Sequence, residues 1–133
     1  MANLLALDVG TVRIGVAAAD SMVPVAMPLQ TLTVDGSEVE AIRQLVTERA
    51  VNTVIIGYPR NQSGEATDQT AISEAVGREV ATFAEVVYQD ESLTSIMAED
   101  RLKQAGKPYT KADVDAFAAM IILQDYLEQH YAA

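Results

Sequence analysis

Residues 4–19 read Leu4-Leu-Ala-Leu-Asp-Val-Gly-Thr-Val-Arg-Ile-Gly-Val-Ala-Ala-Ala19. Two apolar runs are separated by Gly10-Thr11, and the first of them carries a single carboxylate, Asp8, near its end. A short glycine-containing link between two strand-like runs is typical of a tight antiparallel hairpin. A third, shorter run around Pro28–Val34 extends this pattern, so the N-terminal part of the chain is predicted to form a three-strand meander.

Helices and strands are predicted to alternate after the meander. The segment Thr53-Val-Ile-Ile-Gly57 is short, β-branched and fully apolar, which is typical of a strand inside a parallel sheet. Helix starts are indicated by two sequences with the pattern of a capping box. The remaining predicted elements are a helix from the Ser37-x-x-Glu40 box to about Ala50, a helix from the loop Tyr58–Gly64 to about Phe83, a strand Glu85–Gln89, a helix from about Leu93 to Gln104, and a helix from the Thr110-x-x-Asp113 box to about Gln129.

This order predicts the α/β class with a mixed five-stranded sheet, antiparallel at its start and parallel later, flanked by helices. The 133 residues fit a single domain spanning 1–133. There is no cysteine, so disulfides, thiol nucleophiles and thiolate metal sites are excluded. The longest apolar run, Ala116–Leu123, is too short to span a bilayer, and the N-terminus lacks the basic region of a signal peptide. We therefore expect a cytoplasmic protein without a membrane partner.

The net charge of −10 bears on the kind of partner. Proteins that grip duplex nucleic acid usually carry a basic surface, which this composition disfavours. An acidic enzyme can still approach phosphates through metal ions and a few local arginines or lysines. Such an enzyme would bind nucleic acid weakly, and its affinity would depend on the metal.

Three acidic positions are candidates for a common site. Asp8 is costly inside an apolar strand unless a cation pairs with it, although it could also accept backbone N–H bonds in the hairpin turn. Asp90 and Glu91 follow a predicted strand, where one could cap the next helix while the other faces the sheet end. Asp115 is a second acid in the first turn of a helix that is apolar on every side and therefore predicted to be buried.

Carboxylates from three separate elements would suit a Mg²⁺ or Mn²⁺ site, because hard cations prefer oxygen ligands. Two such ions can align an attacking water and stabilise the leaving oxygen of a phosphodiester. Arg13 is either a surface ion-pair partner or a phosphate clamp. The loop that contains Arg60 and Asn61 is either an ordinary polar loop or a phosphate-binding segment, and Gly10-Thr11 offers backbone groups that a ligand can approach closely.

Four motifs in order give the chain a resemblance to a known family. They are Leu7-Asp-Val-Gly-Thr-Val-Arg-Ile-Gly-Val16 with Asp20, Ile56-Gly-Tyr-Pro-Arg-Asn-Gln-Ser-Gly64, Asp90-Glu-Ser-Leu-Thr-Ser95, and Lys111-Ala-Asp-Val-Asp-Ala-Phe-Ala-Ala119 followed by Ile122-Leu-Gln. The chain resembles the YqgF/RuvX family of ribonuclease-H-fold proteins, which are proposed to be Holliday junction resolvases or pre-16S rRNA nucleases. The resemblance covers nearly the whole chain.

The resemblance implies roles for individual residues. Asp8, Glu91 and Asp115 would be the catalytic acids that bind Mg²⁺ or Mn²⁺, and Gly10, Thr11, Arg13, Arg60 and Asn61 would contact substrate phosphates. One position departs from the family pattern, which usually has Asp-Glu-Arg-Leu-Thr where this chain has Ser92. Serine cannot neutralise phosphate charge as arginine does, so substrate affinity is expected to be lower.

Several functions remain open at this point. The leading hypothesis is a metal-dependent nuclease acting on structured nucleic acid, with precursor 16S rRNA favoured over a branched DNA junction and with ribosomal or processing factors as further partners. A non-catalytic binding protein is favoured by Ser92 and by the acidic charge. A nucleotide-binding domain of the actin, hexokinase and Hsp70 type shares the Asp-x-Gly-Thr hairpin, but those proteins need two such domains. The sequence does not reveal the oligomeric state.

Overall fold

The computed structural model describes residues 3–20, 22–59, 68–91 and 94–130. Its element order confirms the predicted sequence of strands and helices, with boundaries that differ by a few residues at most. The strands are β1 Asn3–Val9, β2 Arg13–Asp20, β3 Met27–Thr33, β4 Thr53–Pro59 and β5 Glu85–Glu91; the helices are α1 Glu38–Glu48, α2 Asp68–Val80, α3 Thr94–Gln104 and α4 Lys111–His130.

The five strands form one mixed sheet in the order β3-β2-β1-β4-β5. β1 pairs antiparallel with β2, and β2 pairs antiparallel with β3, as the meander required. β4 pairs parallel with β1 on its other side, and β5 pairs parallel with β4. The carboxyl ends of β1, β4 and β5 therefore meet at one edge of the sheet, which is where sites form in open α/β folds.

The hairpin between β1 and β2 is tight, as its sequence predicted. The amide of Gly10 donates to the carbonyl oxygen of Arg13 at 2.9 Å. A Cβ atom at position 10 would lie 2.8 Å from that same oxygen, which is closer than real Cβ atoms approach. Glycine is therefore required here by the turn itself.

The sheet separates two apolar layers, because successive side chains of a strand point to opposite faces. On one face Leu5 and Leu7 of β1 pack with Ile42 of α1 and with partly buried residues of α2. On the other face Leu4 and Ala6 of β1 pack against α4. Since both faces of β1 are covered, its residues are apolar from 4 to 7, and the carboxylate appears only as the strand ends.

The two predicted capping boxes have different outcomes. The box at α4 is confirmed, because Asp113 Oδ2 accepts from the Thr110 amide at 2.8 Å and Thr110 Oγ1 accepts from the Asp113 amide at 3.2 Å. The box at α1 is wrong, since Ser37 makes no side-chain bond to the helix. Its hydroxyl donates instead to Asp35, and Glu38 rather than Glu40 reaches back to the amides that precede the helix.

α4 also anchors the connection between β2 and β3. Gln124 Oε1 accepts from the Ala26 amide at 2.9 Å, and Gln124 Nε2 donates to the Pro24 carbonyl at 3.4 Å. This connection exposes large apolar side chains, among them Met22 and Val23, at the end of the sheet opposite the carboxyl end of β1. In the part of the chain that the structure describes, none of the helices is long and apolar enough to cross a membrane.

Candidate active site at the carboxyl end of β1

Asp8 lies at the carboxyl edge of the sheet, as the sequence predicted. It is the penultimate residue of β1, it is half-buried, and its cross-strand neighbour on β2 is Gly15. Side chains alternate between the two faces along a strand, so Asp8 lies on the same face as Ala6, which packs against α4. Directly paired residues of antiparallel strands share a face, so Gly15 lies on that face as well. The Asp8 carboxylate thus lies at the end of the apolar layer between the sheet and α4, next to the carboxyl edge of the sheet.

Asp115 is brought to the same place by a missing side chain. A Cβ atom on Gly15 would overlap the carbonyl group of Asp115, so α4 rests on β2 at this point through backbone contact. Asp115 is the fifth residue of α4, one position beyond the first turn in which it was predicted. The close approach of the helix to β2 places Asp115 beside the strand position that faces Asp8.

Arg13 contacts Asp115 directly. Its Nε atom lies 2.5 Å from Asp115 Oδ2, and the two side chains are 34% and 20% exposed. Arg13 opens β2 two residues before Gly15, so both positions belong to the α4 face of that strand. The sequence left two roles open for Arg13, an ion-pair partner or a phosphate clamp. In the structure Arg13 forms an ion pair, and the partner is Asp115, a candidate catalytic acid.

Gly10 and Thr11 lie in the hairpin turn, next to Arg13. They line a cavity of about 370 Å³ together with Ile72 and Val76 of α2. This cavity is on the side of the sheet opposite to α4. Gly10 and Thr11 are therefore close to Arg13 in the chain, but the cavity that they line lies on the α2 side of the sheet and not on the side of Asp8 and Asp115.

Asp90 and Glu91 are consecutive residues at the end of β5. Asp90 pairs with Tyr58 of β4, whose hydroxyl donates to Glu74 of α2 at 2.8 Å, so Asp90 belongs to the α2 face. Glu91 pairs with Pro59 at the carboxyl edge of the sheet. The Glu91 side chain, and the predicted phosphate-binding residues Arg60 and Asn61, lie outside the residues and side chains that the structure describes, as does Ser92.

An aromatic pair covers the α2 face near Asp90. The rings of Tyr58 and Tyr88 meet edge-to-face with centroids 5.3 Å apart. Partial burial, reinforced by the nearby Glu74 carboxylate and opposed by Arg78, raises the pKa of the Tyr88 hydroxyl above its usual value of 10.0. The tyrosine therefore stays neutral at physiological pH.

Within the residues described, no group of three or more acids and histidines is arranged to hold a metal ion. Asp8 and Asp115 supply two carboxylates on one face, and the third candidate, Glu91, has a side chain outside the description. Oxygen donors of this kind are the ligands preferred by Mg²⁺ and Mn²⁺. The chemistry of these two carboxylates is compatible with a hard divalent cation.

Gly15 is the residue of this site that the sequence interpretation missed. The sequence analysis assigns Gly15 to a strand and to a family motif, but gives it no role of its own. A glycine in the interior of a strand often marks a close approach of another backbone, and that signal could have identified it.

These features define the class of the protein: an α/β domain of the ribonuclease-H-like type, with acidic residues gathered where β1 ends. The chain belongs to the RuvX family, because the family model described as "RuvX: Holliday junction resolvase" matches residues 2–129.

Curated relatives agree with this assignment. A protein of Chloroflexus aurantiacus, named as a proposed pre-16S rRNA nuclease, is 41% identical over 131 residues, which cover 94% of this chain and 86% of the relative. A protein of Lactococcus lactis subsp. lactis with the same name is 34% identical over 137 residues, covering 97% and 96%. Among solved structures, T. thermophilus RuvC in complex with a Holliday junction substrate matches with a TM-score of 0.61 over 97% of this chain and 96% of that one. Its sequence identity is 14%, so that likeness shows the fold alone.

Proposed function

We propose that this chain is a cytoplasmic, divalent-metal-dependent endonuclease that hydrolyses phosphodiester bonds in precursor 16S rRNA. The observation that carries the proposal is the placement of Asp8 and Asp115 on one face of the sheet edge, with α4 seated on Gly15. The names of the curated relatives support the choice of rRNA as substrate. Ribosomal or rRNA-processing factors would be the further partners.

In this proposal Asp8, Asp115 and Glu91 hold Mg²⁺ or Mn²⁺. β5 ends in register with β4, and strand alternation assigns the backbone position of Glu91 to the face that bears Asp8. The bound cation would polarise the scissile phosphate and lower the pKa of the attacking water. The carboxylates would orient that water, and the partial burial of Asp8 and Asp115 would limit competing solvent.

The cationic and backbone groups around the acids would bind the phosphates flanking the scissile bond. Arg13 stands at the mouth of the site, and Gly10-Thr11 forms the adjoining turn. Arg60 and Asn61 directly follow β4 in the sequence and would extend the contact. Because Ser92 replaces the family's arginine and the net charge is −10, affinity is expected to be low and to depend strongly on the metal.

A Holliday junction resolvase is the second candidate, and the description of the matching family model favours it. Resolution needs two coordinated cuts and hence a dimer. The acidic charge argues against a protein that clamps a large four-way junction by electrostatics alone. The two candidates share the site and differ in substrate.

The test is a cleavage assay that presents a precursor 16S rRNA fragment and a four-way DNA junction in parallel, each with Mg²⁺, with Mn²⁺ and with chelator. We expect metal-dependent cutting of the rRNA fragment, and a loss of about a hundredfold or more in Asp8→Asn. Asp100→Asn, which removes an exposed acid from α3, is the matched control and should cut at the wild-type rate.

Cutting of the junction alone would establish the resolvase candidate instead. If the wild-type protein binds either substrate and cuts neither with metal, the chain is a binding protein. Equal activity of wild type and Asp8→Asn would reject the site.

A further inference from the structure

We propose that Arg13 and the divalent cation are alternative partners of the Asp115 carboxylate, so that cation binding releases Arg13 to a phosphate of the nucleic acid. This inference rests on the proposed function, because it takes Asp115 to be a metal ligand. It assigns to Arg13 a positioning role before the substrate arrives and a phosphate-binding role afterwards.

Arg13 already forms an ion pair with the Asp115 carboxylate. Arg13 Nε donates to Asp115 Oδ2 in an ion pair, and the Asp115 side chain is only 20% exposed. A cation that takes Asp115 as a ligand must therefore approach a carboxylate whose charge is already compensated.

The Arg13 guanidinium can move away from Asp115 without changing the position of the Asp115 backbone. The backbone at Asp115 is fixed by its contact with Gly15, and the Thr110–Asp113 capping box fixes the start of α4. Neither contact involves the Arg13 side chain, which is 34% exposed and reaches solvent at the sheet edge. Arg13 thus holds the side chain of Asp115, while the backbone position is set independently.

Electrostatic repulsion between a bound cation and Arg13 favours the release of Arg13 from Asp115. A divalent cation bound to Asp115 would lie close to the guanidinium, and like charges at that distance repel strongly in a partly buried site. Release of Arg13 removes this repulsion and frees its fork of N–H donors, whose geometry suits a phosphate. Cation and nucleic acid should consequently bind with positive coupling, which is reciprocal by thermodynamic necessity.

The first experiment measures Mn²⁺ binding to the full chain by isothermal titration calorimetry, without nucleic acid. Arg13→Gln removes the competing partner and should bind Mn²⁺ about fivefold or more tightly than wild type. Lys111→Gln removes the same charge from the first residue of α4 and is the control for a general charge effect, expected to stay within about twofold. Unchanged or weaker binding by Arg13→Gln, or equal tightening by Lys111→Gln, would overturn the exchange.

The second experiment follows the Nε–H resonances of the arginines by NMR as Mg²⁺ is added to the wild-type chain. The Arg13 resonance should shift with the same midpoint as cation binding. Arg43, whose Nε lies 3.3 Å from Glu40 on the exposed face of α1, is the internal control and should not move. An Arg13 resonance that stays fixed while the cation binds would show that the pair persists, which contradicts the proposal.

These outcomes separate the exchange from the proposed function. If Mn²⁺ binds wild type but not Asp8→Asn and the Arg13 resonance is fixed, the metal site stands and the exchange is wrong. If the exchange is observed and neither substrate is cut, the exchange stands and the nuclease assignment fails. If wild type binds no Mn²⁺, both are wrong.

Discussion

Asp8 and Gly15 are directly paired across the β1–β2 hairpin, and the space in which Gly15 would carry a side chain is filled by the backbone of Asp115. One small residue therefore lies between two of the three candidate catalytic acids, Asp8 and Asp115. Because Gly15 has no side chain, α4 packs closely against β2 next to Asp8, near the end of β1.

Gly15→Ala should destabilise the fold and reduce activity together. The added methyl group overlaps the carbonyl of Asp115, and backbone cannot rotate away as a side chain can, so we expect a loss of roughly 1–3 kcal/mol in the free energy of unfolding. Gly77→Ala is the matched control, because its methyl group would meet the hydroxyl and ring carbons of the Tyr88 side chain, which can rotate, rather than backbone. Urea unfolding of both variants compares the two costs, and a larger loss in Gly77→Ala would contradict the role of Gly15.

Asp113 and Asp115 should separate stability from catalysis although they lie two residues apart. Asp113→Ala removes the capping interaction with Thr110 and should cost roughly 0.5–2 kcal/mol of stability with cleavage retained. Asp115→Asn keeps the shape of the side chain and should lose about a hundredfold in cleavage with a stability change below about 1 kcal/mol. Thermal unfolding and the cleavage assay on both variants check this, and the reverse pattern would exchange their roles.

Gln124 should stabilise the β2–β3 connection through the acceptor oxygen of its side chain. Gln124→Ala leaves the amide of the buried Ala26 without this acceptor, and we expect a loss of roughly 1–3 kcal/mol. Gln124→Glu keeps an acceptor at the same place and should lose less. Hydrogen exchange at the Ala26 amide gives the local measurement: faster exchange in Gln124→Ala alone is expected, and equal exchange in both variants would contradict it.

Asp125 should weaken the fold at neutral pH. Its partial burial, together with the nearby Glu128, raises the pKa of the carboxyl above the usual 3.8, against the opposing effect of Arg101. The unfolded chain then releases this proton at lower pH than the folded one, so the penalty grows as pH rises through the ordinary carboxyl range and persists above it. Asp125→Asn should gain roughly a few tenths of a kcal/mol at about pH 7 and nothing at about pH 3. Thermal unfolding at both values checks the sign, and a gain confined to acid would refute it.

The elements that could be predicted from the sequence are those formed by interactions between residues close together in the chain. The β1–β2 hairpin and the Thr110–Asp113 box were predicted because the groups that form them are within four residues of each other. The Ser37–Glu40 box failed for a similarly local reason. Asp35 competed for the Ser37 hydroxyl and Glu38 for the free amides, and a pattern of residue types does not rank such competitors.

The sequence by itself determined the alternation of apolar runs, and with it the mixed sheet, the buried α4 and the singling out of Asp8 and Asp115. Those features follow from periodicity and from the cost of a carboxylate in an apolar segment. Only the tertiary structure decided that Gly15 seats α4 and that Arg13 takes Asp115 as its partner, 102 residues away along the chain. Contacts of that separation depend on how a helix packs on a sheet, and no local pattern of residues encodes the choice between several equally suitable charges.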